Sequence, residues 1–154
     1  MKKSAALRPR RIERLIETAV SARKSAYCPY SRYPVGASVL TDSGRIFAGC
    51  NVENASYGLS LCAERVAIFN AISQGQKGLK AVCVAGNSAK PCGACRQVMF
   101  EFSTKATALY LVDLKPGARR QSVTRTSVFA LLPAAFDPLS SGLLKNKKQA
   151  RNPL

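Results

Sequence analysis

The chain has 154 residues, enough for one domain that buries roughly two-thirds of the surface of its unfolded state. Its 47% hydrophobic and 21% charged residues are typical of a soluble globular protein, and no apolar run approaches the roughly 20 residues that span a bilayer. The basic N-terminus lacks the apolar core of a secretory signal, which favours a cytoplasmic protein, although an Arg-rich organelle-targeting segment stays open.

The formal net charge is +16, and most of the positive charge lies away from the centre of the chain. Of 24 basic residues, eight lie in the first 24 positions, four lie in the last ten, and four lie near a probable loop (Lys115, Arg119, Arg120 and Arg125). Such a distribution fits either a nucleic-acid partner or solvated tails. Because no aromatic residues are interleaved with these runs, solvated tails are the favoured interpretation.

The first half of the chain alternates helical and strand patterns. Apolar residues at helical spacing predict a helix over residues 9–26. Strands are predicted over 35–41 and 45–48, joined by a hairpin turn, and a polar loop over 51–60. Helical spacing returns over residues 61–73.

The second half continues the alternation. An apolar strand is predicted over residues 79–85, a helix opened by a proline over 91–102, and a further strand over 107–112. A short final helix is predicted over 127–132. Alternating strands and helices after a hairpin indicate an α/β layered domain.

The composition at the two ends suggests a simple organisation. We expect a basic N-terminal arm over residues 1–9, one domain over 10–142, and a basic C-terminal tail over 143–154. The tail is polar and lysine-rich, so we expect it to be disordered.

Three cysteines at characteristic spacings suggest a metal site. Cys62 lies in Leu-Cys-Ala-Glu-Arg, and Cys92 and Cys95 lie in Pro-Cys-Gly-Ala-Cys. A separation of three places the last two on one face of a helix. Three thiolates can hold zinc and leave a fourth position for water, which is the arrangement of a catalytic zinc site.

Two residues beside the first cysteine suit hydrolytic chemistry. Glu64 follows Cys62 by two residues and could move protons for the attacking water. Three thiolates give a zinc ion a net charge of −1, and Arg65 could withdraw some of that charge; a surface salt bridge is the alternative role for Arg65. The chain contains no histidine, which excludes histidine ligands and histidine general bases.

The other cysteines leave alternatives open. An even count of six permits disulfides, but metal binding in a reducing compartment is favoured for a domain of this size. Cys83 lies in an apolar strand and is expected to be a buried, inert thiol. A non-catalytic zinc module that grips nucleic acid would instead use Cys50 or Cys83 as a fourth ligand.

The Cys-x-Glu and Pro-Cys-x-x-Cys motifs together resemble the zinc deaminase signature. With the run Ala-Gly-Cys-Asn-Val-Glu-Asn-Ala-Ser-Tyr at 48–57, the chain resembles the small homotetrameric cytidine deaminases over about residues 26–139. The resemblance implies a three-layer α/β/α sandwich around a mixed five-stranded sheet, with one Zn²⁺ per subunit. It also implies a homotetrameric hydrolase that converts cytidine and deoxycytidine to uridine and deoxyuridine, with release of ammonia, in pyrimidine salvage.

The same resemblance assigns roles to matching positions. Asn51 and Glu53 would hydrogen-bond the ribose hydroxyls, with Glu53 accepting from the 3′-hydroxyl. The backbone of Ala63 would bind the edge of the base. Tyr33 lies where the family usually has a phenylalanine beside the pyrimidine.

Two further aromatic residues, Tyr57 and Phe136, would complete pockets at subunit contacts, and Phe136 would reach into a neighbour's site. The stretch 86–90 is shorter than in many relatives and lacks their acidic residue, which could alter a loop near the site. Deaminases of nucleoside antibiotics, such as the blasticidin S deaminases, are a rival assignment, which the Asn-x-Glu pair disfavours. Nucleic-acid editing is a second rival, and it would need an open site.

Overall fold

The computed structural model describes residues 7–115 and 121–145. Within these ranges the chain forms one five-stranded sheet and three α-helices. The elements in chain order are α1 (Pro9–Ala22), β1 (Gly36–Thr41), β2 (Ile46–Cys50), α2 (Ala63–Ser73), β3 (Leu79–Gly86), α3 (Gly93–Phe102), β4 (Ala108–Asp113) and β5 (Ser122–Ser127).

The sheet is mixed, with the strand order β2-β1-β3-β4-β5. β3 and β4 are parallel and are connected through α3, whereas the other three neighbouring pairs are antiparallel. The predicted α/β class and mixed five-stranded sheet are therefore confirmed.

Helices cover both faces of the sheet, which gives the three predicted layers. On one face, Val82 and Val84 pack in a core with residues of α2 and α3. On the other face, Ala81 and Cys83 pack in a second core with Leu15 of α1. Because β3 is buried on both sides, its sequence is a continuous apolar run rather than an alternating one.

Several predicted boundaries need correction. The first helix ends at Ala22, since residues Arg23–Ser25 form a 3₁₀ turn. The helices predicted from residues 61 and 91 begin two residues later, because Cys62 and Cys92 have extended backbones and act as N-caps. The final helix is a single 3₁₀ turn, Phe129–Leu131.

The prediction missed β5 entirely and placed Arg125 near a loop. Arg125 lies within β5, paired with Tyr110 of β4. β5 is a largely exposed edge strand, so it carries no apolar run, although Val123, Thr124 and Thr126 have the β-branched side chains that favour strands.

The expected terminal arms lie mostly outside the described residues. Leu7 packs against the core beneath α1, and the domain boundaries stay predictions. None of the helices within the described ranges combines the length and apolar character that crossing a bilayer requires.

Candidate metal centre and active site

The three predicted metal ligands converge at the start of two helices. Cys62 and Cys92 are the N-cap residues of α2 and α3, and Cys95 lies in the first turn of α3. The three Sγ atoms all lie within 4.8 Å of one another, and those of Cys62 and Cys92 are 3.9 Å apart. A tetrahedral zinc with Zn–S bonds of ~2.3 Å separates its sulfurs by ~3.8 Å, so the cluster fits zinc.

The surroundings prepare Cys62 to bind as a thiolate. Its pKa is lowered to about 5, chiefly by the hydrogen bond from the neighbouring Cys95 thiol, with a further contribution from Arg65. The same contact raises the pKa of Cys95, which holds the shared proton. Cys62 and Cys92 both lie at helix N-termini, whose partial positive charges stabilise anionic ligands.

Glu64 lies in the first turn of α2, and its side chain is only 3% exposed. Its pKa is raised to about 7, chiefly by burial and in smaller part by the nearby charge of Cys62. The side chain faces the cluster, since the Cys95 thiol also interacts with it. A buried carboxyl group therefore lies directly beside the three sulfurs.

Arg65 faces the cluster as well. Its Nη2 donates a hydrogen bond to the Ser60 carbonyl oxygen at 3.1 Å and lies 3.8 Å from the Cys62 sulfur. No carboxylate forms an ion pair with Arg65 in the described part of the chain. This geometry supports charge compensation at the thiolate and disfavours the alternative of a surface salt bridge.

Tyr33 lies close enough to Glu64 for the two groups to interact electrostatically. Its hydroxyl donates to the Asn87 carbonyl oxygen at 2.5 Å, which links the loop before β1 to the loop after β3. Burial raises the pKa of Tyr33, and the charges of Asp113 and Glu64 add to this effect. Asp113 in turn accepts a hydrogen bond from the Ser88 backbone N–H at 2.8 Å.

The two predicted ribose-binding residues already hold the loop that precedes β1. Asn51 accepts from the Val35 backbone N–H at 2.8 Å and donates to the Tyr33 carbonyl oxygen at 3.0 Å. Glu53 accepts from the backbone N–H groups of Tyr30 and Ser31 through one oxygen, Oε2. A carboxylate has four lone pairs, so these bonds leave capacity for a ligand hydroxyl, and both roles stay predictions.

The remaining predicted residues are placed as follows. Ala63 is the first residue of α2 and is fully buried beneath the site. Tyr57 is 74% exposed and stacks edge-on against Tyr30, with ring centroids 5.7 Å apart. Phe136 is 62% exposed, and its carbonyl oxygen accepts a hydrogen bond from Gln97 of α3.

The alternative of a four-cysteine module is not supported. Cys83 is fully buried in the core beneath α1, where burial raises its pKa to about 12. Cys50 donates to the Ser25 carbonyl oxygen instead of joining the cluster. All six cysteines are free thiols.

Four residues around the site were not predicted individually, namely Asn87, Asp113, Arg96 and Gln97, although the stretch 86–90 that contains Asn87 was expected to affect a loop near the site. Arg96 donates to the carbonyl oxygens of Pro91 and Leu131, so α3 holds both its own N-terminal loop and the segment that leads to Phe136. A signal did exist for Asp113, because it ends a buried strand at the edge where α/β sheets place their sites.

Comparison with known proteins is consistent with this geometry. The family model described as "Cytidine and deoxycytidylate deaminase zinc-binding region" matches residues 9–111. A cytidine deaminase of Sporosarcina psychrophila is 44% identical over 128 residues, which cover 81% of this chain and 90% of that protein. A probable cytidine deaminase of Dictyostelium discoideum is 42% identical over 129 residues, which cover 81% of this chain and 83% of that protein.

Solved structures show the same relationship. A cytidine deaminase from Burkholderia pseudomallei superposes with a TM-score of 0.73 at 45% identity, covering 80% of this chain and 98% of that one. The cytidine deaminase from Mycobacterium tuberculosis superposes with a TM-score of 0.67 at 38% identity, and the match covers 82% of this chain and 97% of that one. The three cysteines could hold the zinc ion of such a region, and the chain belongs to the cytidine and deoxycytidylate deaminase family.

Proposed function

We propose that this protein catalyses the hydrolytic deamination of cytidine and deoxycytidine to uridine and deoxyuridine, with release of ammonia. The observation that carries the proposal is the buried Glu64 carboxyl group beside a cluster of three cysteine sulfurs. Three protein ligands leave one tetrahedral position for the reacting water, whereas a structural zinc site would fill all four.

The residues divide the chemistry between them. Cys62, Cys92 and Cys95 would hold the zinc, which would supply Lewis-acid activation of the attacking water near neutral pH. Glu64 takes a proton from that water as it attacks C4 of the pyrimidine, and then delivers protons to the ring nitrogen N3 and to the departing amino group. The low exposure of Glu64 keeps bulk water away from these transfers.

The substrate is held by groups around this centre. We assign the base edge to the backbone of Ala63, the flank of the pyrimidine to Tyr33, and the sugar hydroxyls to Asn51 and Glu53. The hydrogen bonds that fix Asn51 and Glu53 to the loop before β1 support this assignment, because they orient both side chains before substrate arrives.

We also propose that the protein acts as a homotetramer in pyrimidine salvage in the cytoplasm. Tyr57, Leu59 and Phe136 are large side chains that are more than half exposed in the isolated chain. Exposed aromatic side chains near a site are typical of subunit contacts.

The test follows the loss of ultraviolet absorbance of cytidine with purified, zinc-loaded protein. Glu64→Gln keeps the shape of the side chain but cannot move protons, so we expect kcat to fall by about 10²–10⁴-fold with zinc retained. Glu101→Gln is the matched control, since Glu101 is an exposed glutamate on α3, and it should leave kcat unchanged.

Two outcomes would contradict the proposal. A zinc-loaded wild-type protein that leaves cytidine and deoxycytidine intact would exclude them as substrates. Full activity in zinc-loaded Glu64→Gln would remove Glu64 from the proton transfers.

A further inference from the structure

A second concave surface lies at the opposite end of the sheet from the metal centre. A groove of about 1180 Å³ runs between the start of α1, the starts of β3 and β4, and the end of β5. The basic groove, as we name it, is lined by five cationic side chains: Arg8, Arg11, Lys80, Lys105 and Arg125. Asp42 is the one acidic residue in the described lining.

The strand registers place these residues at one end of the molecule. Thr41 at the end of β1 pairs with Leu79 at the start of β3, and Ala108 at the start of β4 pairs with Ser127 at the end of β5. Cys92 and Cys95 follow the opposite end of β3. Cys62 follows the end of β2, which lies on that same side because Gly36 pairs with both Cys50 and Ala85. β3 has eight residues, so the groove and the metal centre are separated by about 25 Å.

The cations of the groove are available to a ligand. Arg8, Arg11, Lys105 and Arg125 are exposed, and no carboxylate pairs with them among residues 7–115 and 121–145. Lys80 donates a hydrogen bond to the backbone carbonyl oxygen of Asp42. Because this acceptor is uncharged, the bond does not compensate the positive charge of Lys80.

The start of α1 adds to the positive potential. The first turn of α1 contains no acidic residue, and its N-cap, Arg8, makes no side-chain capping bond. The partial positive charge of the helix N-terminus is therefore reinforced by arginines rather than offset by carboxylates.

The charged surface is wider than one small ion. A second cleft of about 290 Å³ shares Arg11 with the basic groove and adds Arg14 and Arg45. Arg45 precedes β2 and Arg125 lies on β5, which form opposite edges of the sheet. Four strand spacings of ~4.8 Å separate those edges, so the cations extend over ~19 Å.

We propose that the basic groove binds single-stranded nucleic acid through its phosphates, independently of sequence. A strip of cations in a groove that is too wide for one phosphate suits an extended chain of phosphates. Tyr110, the one aromatic residue in the described lining, is only 5% exposed, so stacking on bases contributes little and base identity is not read.

This surface was not evident from the sequence because its members are far apart along the chain. The basic runs at the termini suggested solvated tails, whereas the fold gathers Lys80, Lys105 and Arg125 beside α1. The proposal does not depend on deamination, since the groove shares no residue with the metal centre.

The experiment measures fluorescence anisotropy of labelled 20-nucleotide oligo(dT), oligo(dA) and oligo(U) between 50 and 300 mM salt with the full chain. The test variant, Lys80→Gln/Lys105→Gln/Arg125→Gln, removes three charges from the groove. The matched control, Lys24→Gln/Lys90→Gln/Lys115→Gln, removes three exposed charges from the metal-site end and leaves both termini intact.

We expect similar binding of the three oligonucleotides by the wild type. Loss of three phosphate contacts should weaken binding at 150 mM salt by about 50-fold and reduce the slope of log K against log salt by about 2. The control should change affinity less than threefold, and both variants should keep their zinc.

Three results would overturn the proposal. Equal weakening in both triple variants would mean that binding is diffuse over the charged surface. Competition by low-millimolar inorganic phosphate would mean that the groove takes a single ion. Absence of wild-type binding at 50 mM salt would exclude single-stranded nucleic acid as the ligand of the basic groove.

Discussion

At the scale of single residues, the charge on the sulfur cluster determines how strongly zinc can activate water. Three thiolates give the zinc site a net charge of −1, which opposes ionisation of the reacting water. Arg65 is placed to reduce this effect, since its Nη2 lies 3.8 Å from the Cys62 sulfur.

Replacing Arg65 tests this role. In Arg65→Gln we expect kcat to fall by about 10–100-fold, with a smaller change in KM, because the guanidinium acts on the metal site rather than on the substrate. Arg65→Lys should recover part of kcat by restoring the charge. The Arg65 variants are compared with the control Arg10→Gln, which replaces an exposed arginine on α1, by steady-state kinetics and metal analysis. An equal effect on kcat in Arg65→Gln and Arg10→Gln would mean that Arg65 has no specific role in catalysis.

Glu53 permits a test of sugar recognition. Its pKa is lowered, chiefly by its hydrogen bond with Ser31, so the group is ionised throughout the neutral range. An ionised carboxylate accepts a strong hydrogen bond from a 3′-hydroxyl. Wild-type protein should therefore prefer cytidine to 3′-deoxycytidine, and Glu53→Gln should reduce the ratio of the two kcat/KM values by about 10-fold. An unchanged ratio would place the 3′-hydroxyl elsewhere.

The pKa shift of Glu53 also has a consequence for stability. A carboxyl group whose pKa is lowered by folding stabilises the protein above its unfolded pKa, and this contribution is lost as the pH falls through the folded pKa. The loop before β1 should thus loosen only in acid, at pH values below the usual range of a glutamate.

The sequence was sufficient to predict which residues lie together at the metal centre, and their catalytic roles stay predictions. Cys62, Cys92, Cys95 and Glu64 were predicted together because ligand spacing within a motif survives any uncertainty about the fold. Asn87 and Asp113 were not predicted, because the strand order alone brings the ends of β3 and β4 to Tyr33.

At the scale of elements, β2 and α2 are in unusually close contact. A Cβ atom on Gly49 would lie 2.4 Å from the Ala67 backbone nitrogen and 2.7 Å from the Ala63 carbonyl oxygen. The backbone of α2 therefore rests directly on β2, and this contact fixes the helix that carries Glu64 and follows Cys62.

Gly49→Ala should separate the two elements. We expect the free energy of unfolding to fall by about 1–3 kcal/mol, since both clashing atoms belong to the backbone and cannot move aside. Zinc occupancy should fall as well, because Cys62 would shift relative to Cys92. The variant is compared with the control Gly58→Ala, whose added Cβ meets nothing within 4 Å, by chemical unfolding and metal analysis. Equal stability of the two variants would contradict a close contact between β2 and α2 at Gly49.

The first residue of α3 and the missed strand β5 show why the existence and bounds of elements are harder to predict than motifs. A proline before Cys92 favoured a helix from residue 91, but the thiol sits where an N-cap side chain sits, and the helix begins at Gly93. β5 was missed because an exposed edge strand needs no apolar pattern. Local periodicity reports the contrast between a buried and an exposed face, so it gives no signal for an element that is exposed over most of its surface.

At the scale of the whole molecule, the exposed aromatic residues bear on the proposed homotetramer. Phe136 is 62% exposed, yet its backbone is held firmly by Gln97 of α3. An ordered backbone that presents a large apolar side chain to solvent is typical of a contact with another subunit.

Light scattering should therefore give a mass about four times the 16.5 kDa of one chain. Phe136→Ala should lower kcat/KM by about 10-fold or more if the ring completes a neighbouring site, because an aromatic anchor at an interface contributes about 2 kcal/mol or more. Leu143→Ala is the control, since Leu143 is 67% exposed and lies outside the site. A monomer with full activity would contradict the tetramer.

Mixing two impaired variants distinguishes a shared site from a merely stabilising contact. A Glu64→Gln subunit retains Phe136, and a Phe136→Ala subunit retains Glu64. If the ring of one subunit enters the site of another, mixed tetramers contain some sites with an intact Glu64 from one chain and an intact Phe136 from the other. Refolding the two variants together should then yield more activity than the sum of the two refolded separately, as Phe136 of the partner subunit restores substrate binding. Activity equal to that sum would mean that Phe136 acts within its own chain, and that the site described here needs no second copy.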